Sequence, residues 1–199
     1  MVLHSPCLWS RASTYFSDFQ SATTSALSNS SIPKQLWSRP PDGAFKLNVD
    51  ASVVSGLGCY GLGLIFRDNS GFPVLVKSQL YSGSISVEVA EVRAVLEGVS
   101  LAVELALFPL FIESDSLSVV QLCRGDWISR GDVGHVIGNI LSLLNNRAAD
   151  FSFVPRCSNS IADFLAKEAL RLRVSFLWKD LFPDWFVILV QADVFPALT

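Results

Sequence analysis

Alternation of apolar and polar residues predicts three strands in the first half of the chain. Over residues 45–53, apolar side chains at odd positions alternate with polar ones at even positions, the period of a half-buried strand. Strand patterns follow over residues 60–67 and 73–81, after a glycine-rich turn at 56–58 and a second turn at 68–71. Three consecutive strands joined by short turns predict an antiparallel meander.

The period then lengthens to that of a helix. From Ser86, a suitable N-cap, apolar residues recur at helical spacing to about residue 106, and Pro109 marks the end. The next helical run, 115–124, is expected to be capped by Ser114 or Asp115. The remaining predicted elements are strands over 110–114 and 151–154 and helices over 132–146 and 158–173. The order β-β-β-α-β-α-α-β-α predicts an α/β fold, with a mixed sheet covered by helices on both faces.

Composition divides the chain into three segments. Residues 1–40 are rich in Ser, Thr and Ala, and we expect a linker or a weakly ordered N-terminal arm. Residues 41–175 carry the predicted elements as one domain. Residues 176–199 form a Pro-interrupted amphipathic tail, which we expect to pack on that domain. Half of the 199 residues are hydrophobic and 17% are charged, which indicates a globular chain with a sizeable core.

The net charge of −3 bears on possible partners. Duplex nucleic acid is bound largely through contacts from Lys and Arg to phosphate, so this charge does not favour tight autonomous binding. A local basic patch or bridging metal ions would still permit it.

Cysteine usage and hydropathy indicate the compartment. The four cysteines are far apart and the chain has two histidines, a pattern that argues against a zinc site and favours free thiols in a reducing compartment. No secretory signal is apparent, and no apolar run reaches the roughly 20 residues of a spanning helix. We expect a soluble intracellular protein without membrane contact, with nucleus and cytoplasm equally open.

Four carboxylates fall at apolar boundaries of separate predicted elements. Asp50 lies within the first strand, Glu91 lies in the apolar half of the first helix, Asp115 directly follows the fourth strand, and Asp163 lies on the last helix. A charge in such a place is costly unless something compensates it. If the four side chains converge, they offer oxygen ligands and charge to a hard cation such as Mg²⁺.

Each carboxylate taken singly has a simpler interpretation. Asp115 suits a helix N-cap and Asp163 suits a solvated helix position. Other glutamates of the first helix could take the place of Glu91 as the inward-facing one.

A second motif, G-x-G-x-x-G over residues 56–61, follows a strand as a dinucleotide fingerprint should. A strand pattern rather than a helix comes next, so a hairpin turn is the better interpretation.

The motifs around the carboxylates resemble the type 1 ribonuclease H-like superfamily, and most closely its reverse-transcriptase-like branch, which is abundant in plant genomes and related to retroelement ribonuclease H domains. The matching motifs are Leu47-Asn-Val-Asp50, Ala90-Glu91-Val-Arg-Ala94, Glu113-Ser-Asp-Ser116 and Asn159-Ser-Ile-Ala-Asp-Phe-Leu-Ala-Lys167. Trp37 with the Pro40-Pro41 turn, and Val154-Pro-Arg156, fit the same branch. The resemblance runs from about Trp37 to the C-terminal tail.

This resemblance implies a three-layer fold with a five-stranded mixed sheet. It also implies two Mg²⁺ ions, with Mn²⁺ as a substitute, that support hydrolysis of the RNA strand of an RNA–DNA hybrid by a monomeric domain. By position, Asp50 would bridge the ions, Glu91 and Asp115 would hold one side, and Asp163 the other. The expected substrate contacts are Ala51, Ser52 and Asn159, with 2′-hydroxyl groups read in a wide minor groove.

Three departures from the family pattern leave the activity open. Phe153 stands where members often carry a histidine thought to help product or metal release, and Ala51-Ser52 stands where the branch usually has Gly-Ala. No basic substrate-binding protrusion is apparent near residues 124–130. The nuclease is therefore expected to be slow or degenerate. The alternative is an inactive, domesticated retroelement domain that acts as a nucleic-acid-binding or protein-interaction module.

Overall fold

The computed structural model describes residues 37–127 and 131–194. Of the predicted N-terminal arm, residues 1–36 lie outside this part of the chain. The strands are β1 (Phe45–Val53), β2 (Cys59–Arg67), β3 (Pro73–Ser82), β4 (Leu110–Ser114), β5 (Ala149–Phe153) and β6 (Phe176–Lys179). The helices are α1 (Val87–Glu104), α2 (Leu117–Arg124), α3 (Asp132–Leu144), α4 (Ser160–Leu172) and α5 (Asp184–Val194), with a short 3₁₀ turn at Arg156–Ser158.

The strands form one mixed sheet in the order β5-β4-β1-β2-β3-β6. The pairs β1–β2 and β2–β3 are antiparallel, which confirms the predicted meander, and β1–β4 and β4–β5 are parallel. Helices cover both faces, so the predicted α/β fold is confirmed. No described helix has the length and apolarity required to cross a membrane.

The sheet has six strands, not the five that the family resemblance implies. The additional strand, β6, pairs antiparallel with β3 over four residues. Its side chains alternate, with Phe176 and Trp178 buried and Leu177 and Lys179 exposed. Four residues are too short a run for an alternation to stand out in sequence, and the segment was therefore predicted only as part of the amphipathic tail.

Two apolar clusters fill the space above and below the sheet. One includes Leu47 and Val49 of β1 and packs beneath α1, α2 and α3. The other joins Ile65 and Val76 to α4, β6 and α5. Because helices cover both faces, the polar residues Lys46, Asn48 and Asp50 of β1 are buried as well.

The structure confirms one of the two predicted helix N-caps near the carboxylates and corrects the other. Ser86 caps α1 as predicted, with its hydroxyl accepting from the Val89 amide at 3.2 Å. The prediction for α2 was wrong: its N-cap is Ser116, not Ser114 or Asp115. Strand β4 runs through Ser114, whose hydroxyl accepts from the Ser116 amide at 3.1 Å. Asp115 lies between strand and cap, so its carboxylate is not used to begin the helix.

Candidate metal centre

The end of β1 brings three of the predicted carboxylates together. Strand β1 pairs in parallel with β4, and Asn48 lies opposite Glu113. Two residues further along, Asp50 and Asp115 therefore emerge at the same edge. Glu91 reaches this edge from α1, and one carboxylate oxygen of each residue lies within 4.8 Å of the other two.

Asp163 lies beside this group but forms ion pairs with two basic side chains. Its Oδ1 accepts from Nη2 of Arg156 at 2.8 Å, and its Oδ2 from Nζ of Lys167 at 2.6 Å. Its charge still raises the pKa of Asp50 and of Asp115, after the larger effect of burial. Of the four predicted carboxylates, the structure thus groups three and holds the fourth next to them in ion pairs.

Burial and mutual repulsion disfavour ionisation at this edge. Burial, together with the charges of Glu91 and Asp115, raises the pKa of Asp50 to about 9. Burial and the charge of Asp115 raise the pKa of Glu91 to about 8, although hydrogen bonds to Asp50 and to the Ala51 backbone oppose the shift. Burial also raises the pKa of Asp115.

A divalent cation fits this arrangement. Oε2 of Glu91 is buried and has no hydrogen-bond partner among the described residues. An unpartnered carboxylate oxygen in a group of repelling carboxylates is costly, and a hard cation removes both costs by supplying positive charge and accepting the oxygen as a ligand. The donor set, all carboxylate oxygens, is the one that Mg²⁺ and Mn²⁺ prefer.

The carboxylates open onto a cleft of about 480 Å³. Ala51, a predicted substrate contact, lines it, and Ser52 follows half-buried on β1. Arg156 also lines the cleft, with 70% of its side chain exposed. The sequence pattern placed Arg156 only within a family motif, because a lone arginine in a loop carries no local sign of its partners.

Asn159 lies beneath the centre rather than in the cleft, and only 1% of it is exposed. Its Nδ2 donates to the Val49 carbonyl at 2.9 Å and lies 3.5 Å from Oδ1 of Asp115, while its Oδ1 accepts from Asn48 at 3.2 Å. The structure therefore corrects its predicted role as a direct substrate contact. A buried amide with these partners contacts the residues of the cleft through Asp115 and the Val49 carbonyl.

Of the residues named as departures from the family pattern, the structure describes Phe153 and, among the histidines, His135. Phe153 ends β5 and is 46% exposed. His135 lies on α3 and lines a different cleft, beside Asp132 and Arg93. The other histidine, His4, is outside the described residues. No described histidine therefore borders the carboxylates.

Comparison with known proteins identifies the family and the fold. A family model described as reverse transcriptase-like matches residues 48–169, more than half of the chain. Among curated proteins, no sequence matches this chain significantly.

Three solved structures illustrate the likeness in fold. The N-terminal RNase H domain of Rv2228c from Mycobacterium tuberculosis, solved as a fusion with maltose binding protein, is 22% identical, with a TM-score of 0.60 over 65% of this chain and 94% of that one. RNase H1 from the archaeon Halobacterium salinarum is 21% identical, with a TM-score of 0.59 over 64% and 98%. LC11-RNase H1, isolated from compost and solved in complex with an RNA/DNA hybrid, is 20% identical, with a TM-score of 0.56 over 65% and 98%.

At these identities the structures establish the fold alone, while the family model covers β1 to α4 and with them all four carboxylates. Fold, motif order and family match agree. The chain belongs to the reverse transcriptase-like family and has the ribonuclease H-like fold.

Proposed function

We propose that this chain is a metal-dependent endonuclease that hydrolyses the RNA strand of RNA–DNA hybrids. The observation that carries the proposal is the group of Asp50, Glu91 and Asp115, whose carboxylate oxygens lie within 4.8 Å of one another at the edge of an open cleft. Such a group is costly to bury without a cation. The unpartnered oxygen of Glu91 adds to that cost.

The proposed cofactor is a pair of Mg²⁺ ions, for which Mn²⁺ substitutes. Asp50 would bridge the two ions, Glu91 and Asp115 would hold one side, and Asp163 the other. When bound, such a pair supplies an activated water nucleophile and stabilises the leaving oxygen of an in-line displacement. Both carboxylate oxygens of Asp163 pair with Arg156 and Lys167 in this structure, so a metal ion held there would take the place of one of these ion pairs.

The proposed substrate is an RNA–DNA hybrid. The compost RNase H1 and the foamy viral protease-reverse transcriptase were each solved in complex with such a hybrid, and we extend that substrate to this chain as a proposal. Backbone groups of Ala51 and Ser52 would contact 2′-hydroxyls, which distinguish RNA from DNA. Arg156 supplies an exposed positive charge for a phosphate at the same edge.

Turnover is expected to be slow. Phe153 offers no proton-transferring or charged group at the place where family members often carry a histidine. Ser52, near the end of strand β1, also stands where family members usually have a smaller residue. Both changes affect product release and backbone approach more than metal binding, so the metal centre is expected to persist even where turnover is low.

The direct test is cleavage of a labelled hybrid in Mg²⁺ and then in Mn²⁺, with DNA and RNA duplexes of the same sequence alongside. We expect the RNA strand of the hybrid alone to be cut. Asp50→Asn should reduce cleavage at least about 100-fold, because it removes a bridging ligand, an effect at the upper end of losses from perturbed metal sites. Asp184→Asn, an exposed aspartate on α5, is the matched control and should cleave like the wild type.

Absence of RNA cleavage by the wild type in either metal would contradict the proposal. Equal cleavage by wild type and Asp50→Asn would contradict the metal assignment. A protein that binds hybrid or another partner without cleaving it would instead be the domesticated interaction module of the alternative hypothesis.

A further inference from the structure

A buried polar network lies beneath the metal centre, on the α4 and α5 side of the sheet. At its middle is Arg67, the last residue of β2, which is 0% exposed. Its Nη1 lies 2.6 Å from Oδ2 of Asp193 on α5, and its Nη2 donates to Oδ1 of Asn48 at 2.9 Å. Its guanidinium stacks 3.6 Å above the ring of Trp37. Trp37 and Asp193 lie on either side of the segment that the family model matches, residues 48–169.

Two donors fix the orientation of the Asn48 side-chain amide. Oδ1 of Asn48 accepts from Arg67 and also from Nε1 of Trp37, each at 2.9 Å. With its oxygen held by two donors, the amide must direct its nitrogen the other way. Nδ2 of Asn48 accordingly donates to Glu113 at 2.9 Å and to Oδ1 of Asn159 at 3.2 Å.

The orientation of Asn48 determines that of Asn159. Because Oδ1 of Asn159 accepts from Asn48, its Nδ2 must face the opposite side, where it donates to the Val49 carbonyl and faces Oδ1 of Asp115. A reversed Asn48 amide would present oxygen to oxygen, and Asn159 would relieve this by turning its own oxygen toward the Asp115 carboxylate. Asp115 would then be repelled where it is now held.

Stability alone does not account for this network. A buried ion pair is often no more stabilising than apolar side chains of the same volume. Nε of Arg67 is buried without a hydrogen-bond partner among the described residues, an added cost that an apolar pair would not carry. What an apolar pair cannot provide is a donor that orients Asn48.

We propose that Trp37, Arg67 and Asp193 are positioning residues that set the orientation of the Asn48 and Asn159 amides and thereby hold the carboxylate of Asp115 in place at the metal centre. Asp193 acts by holding the Arg67 guanidinium. Without Asp193, the Arg67 guanidinium loses the ion-pair partner that holds it at 2.6 Å and is no longer fixed against the oxygen of Asn48. The consequence for metal affinity rests on the proposed function, but the orientation of the amides does not.

The first variant is Asp193→Asn, which keeps the shape of the side chain and removes its charge. Its matched control is Asp184→Asn on the same helix, an exposed position. The measurements are the side-chain amide resonances of Asn159 by NMR without metal and Mn²⁺ affinity by titration, both at a temperature where circular dichroism shows every variant folded. We expect the Asn159 resonances to shift and Mn²⁺ affinity to fall about tenfold in Asp193→Asn, as for other outer partners of metal ligands. The control should change neither.

The second variant is Trp37→Phe, which keeps a ring beneath Arg67 and removes only the Nε1 donor to Asn48. It tests the same orientation without leaving a buried charge unpaired, and it decides the question if Asp193→Asn does not fold. Its control is Trp127→Phe, at an exposed tryptophan. We expect a shift of the Asn159 resonances in Trp37→Phe and none in Trp127→Phe.

A purely structural network would lower the melting temperature of these variants but leave the Asn159 resonances and the Mn²⁺ affinity unchanged, and that result would overturn the proposal. If the wild type binds no Mn²⁺, the proposed nuclease function fails. The resonances of Asn159 then still decide whether the network orients the amides.

Discussion

At the scale of single residues, the centre consists of carboxyl groups held together where little water reaches them. Asp50 and Glu91 are each less than 10% exposed, and their carboxylates face Asp115 across a few ångströms. In water these side chains would ionise near pH 4. Here burial raises the pKa of both, so the metal-free protein retains protons that a bound cation would displace.

This protonation predicts a pH dependence of stability. Between about pH 4, where the carboxylates of the unfolded chain ionise, and the raised pKa values of about 9 and 8, the folded protein binds more protons than the unfolded chain. The free energy of unfolding of the metal-free protein should therefore decrease as the pH rises through this window. Urea unfolding in a chelator measures it, and the decrease should be smaller in Asp50→Asn.

Added Mg²⁺ provides the control for this pH prediction. Because Mg²⁺ binds the ionised carboxylates of the folded protein, it should stabilise more at about pH 9 than at about pH 5. A wild type whose metal-free stability changes with pH no more than that of Asp50→Asn would contradict the prediction.

Replacement of Phe153 by histidine is predicted to raise the cleavage activity. It ends β5 opposite Ser114, the residue before Asp115, and its side chain is partly exposed. A histidine there would provide a titratable group beside the proposed centre and restore the residue type that the family often carries. We expect Phe153→His to raise multiple-turnover cleavage of the hybrid severalfold and to change single-turnover cleavage less. Val174→His, at an exposed position after α4, is the control.

At the scale of elements, the position of α4 depends on glycines in β2. A Cβ at Gly63 would lie 2.1 Å from the Ala162 carbonyl oxygen, and one at Gly61 2.2 Å from that of Ala166. Both obstructions are helix backbone, which cannot move aside as a side chain can. The close approach of α4 places Asp163 beside Asp50.

Gly63→Ala tests this contact. The added methyl group must push α4 away from β2, and we expect a loss of about 3 kcal/mol in the free energy of unfolding, the upper range for overpacking. Hybrid cleavage should fall as well, because α4 carries Asp163. Gly138→Ala, an exposed position in α3 with nothing within 4 Å of the added Cβ, should be neutral or stabilise by up to about 1 kcal/mol. Equal denaturation midpoints for the two variants would refute the argument.

At the scale of the whole molecule, the C-terminal helix belongs to the core. The buried face of α5 contributes Phe186, Leu189 and Val190 to the cluster beneath the sheet. Burial of each such side chain contributes about 1.5–3 kcal/mol to the free energy of unfolding. The same helix carries Asp193, without which Arg67 is a buried charge lacking its ion-pair partner.

Truncation after Asp180 should therefore abolish cooperative unfolding. The truncation removes three buried side chains and leaves a buried arginine unpaired. The resulting loss in the free energy of unfolding is comparable to the whole stability of a typical domain, about 5–15 kcal/mol. Near-UV circular dichroism and urea denaturation measure the result. The matched control is a protein that lacks residues 1–36 and begins at Trp37. Its urea midpoint should equal that of the full chain, as predicted for a linker or arm. A truncated protein that still unfolds cooperatively would show that α5 is dispensable.

The chain by itself determined most of the elements up to residue 173 and indicated the candidate carboxylates. Alternation along β1 placed Asp50 opposite the apolar face, and the periodic change after Ser86 located α1, because local side-chain spacing follows the backbone geometry directly. The strands β1 and β4 ended where the pattern predicted. The order of the short motifs was enough to indicate the family, since each motif contains one of the four candidate carboxylates.

Only the tertiary structure decided how these residues are partnered. Asp163 pairs with Arg156 and Lys167, Asn159 is buried beneath Asp115, and the strand β6 exists because β3 offers it an edge. Asn48 and Asn159 are 111 residues apart, and no local period relates them. Spacing along the chain reports which face a side chain occupies, whereas its partners depend on which elements pack across that face.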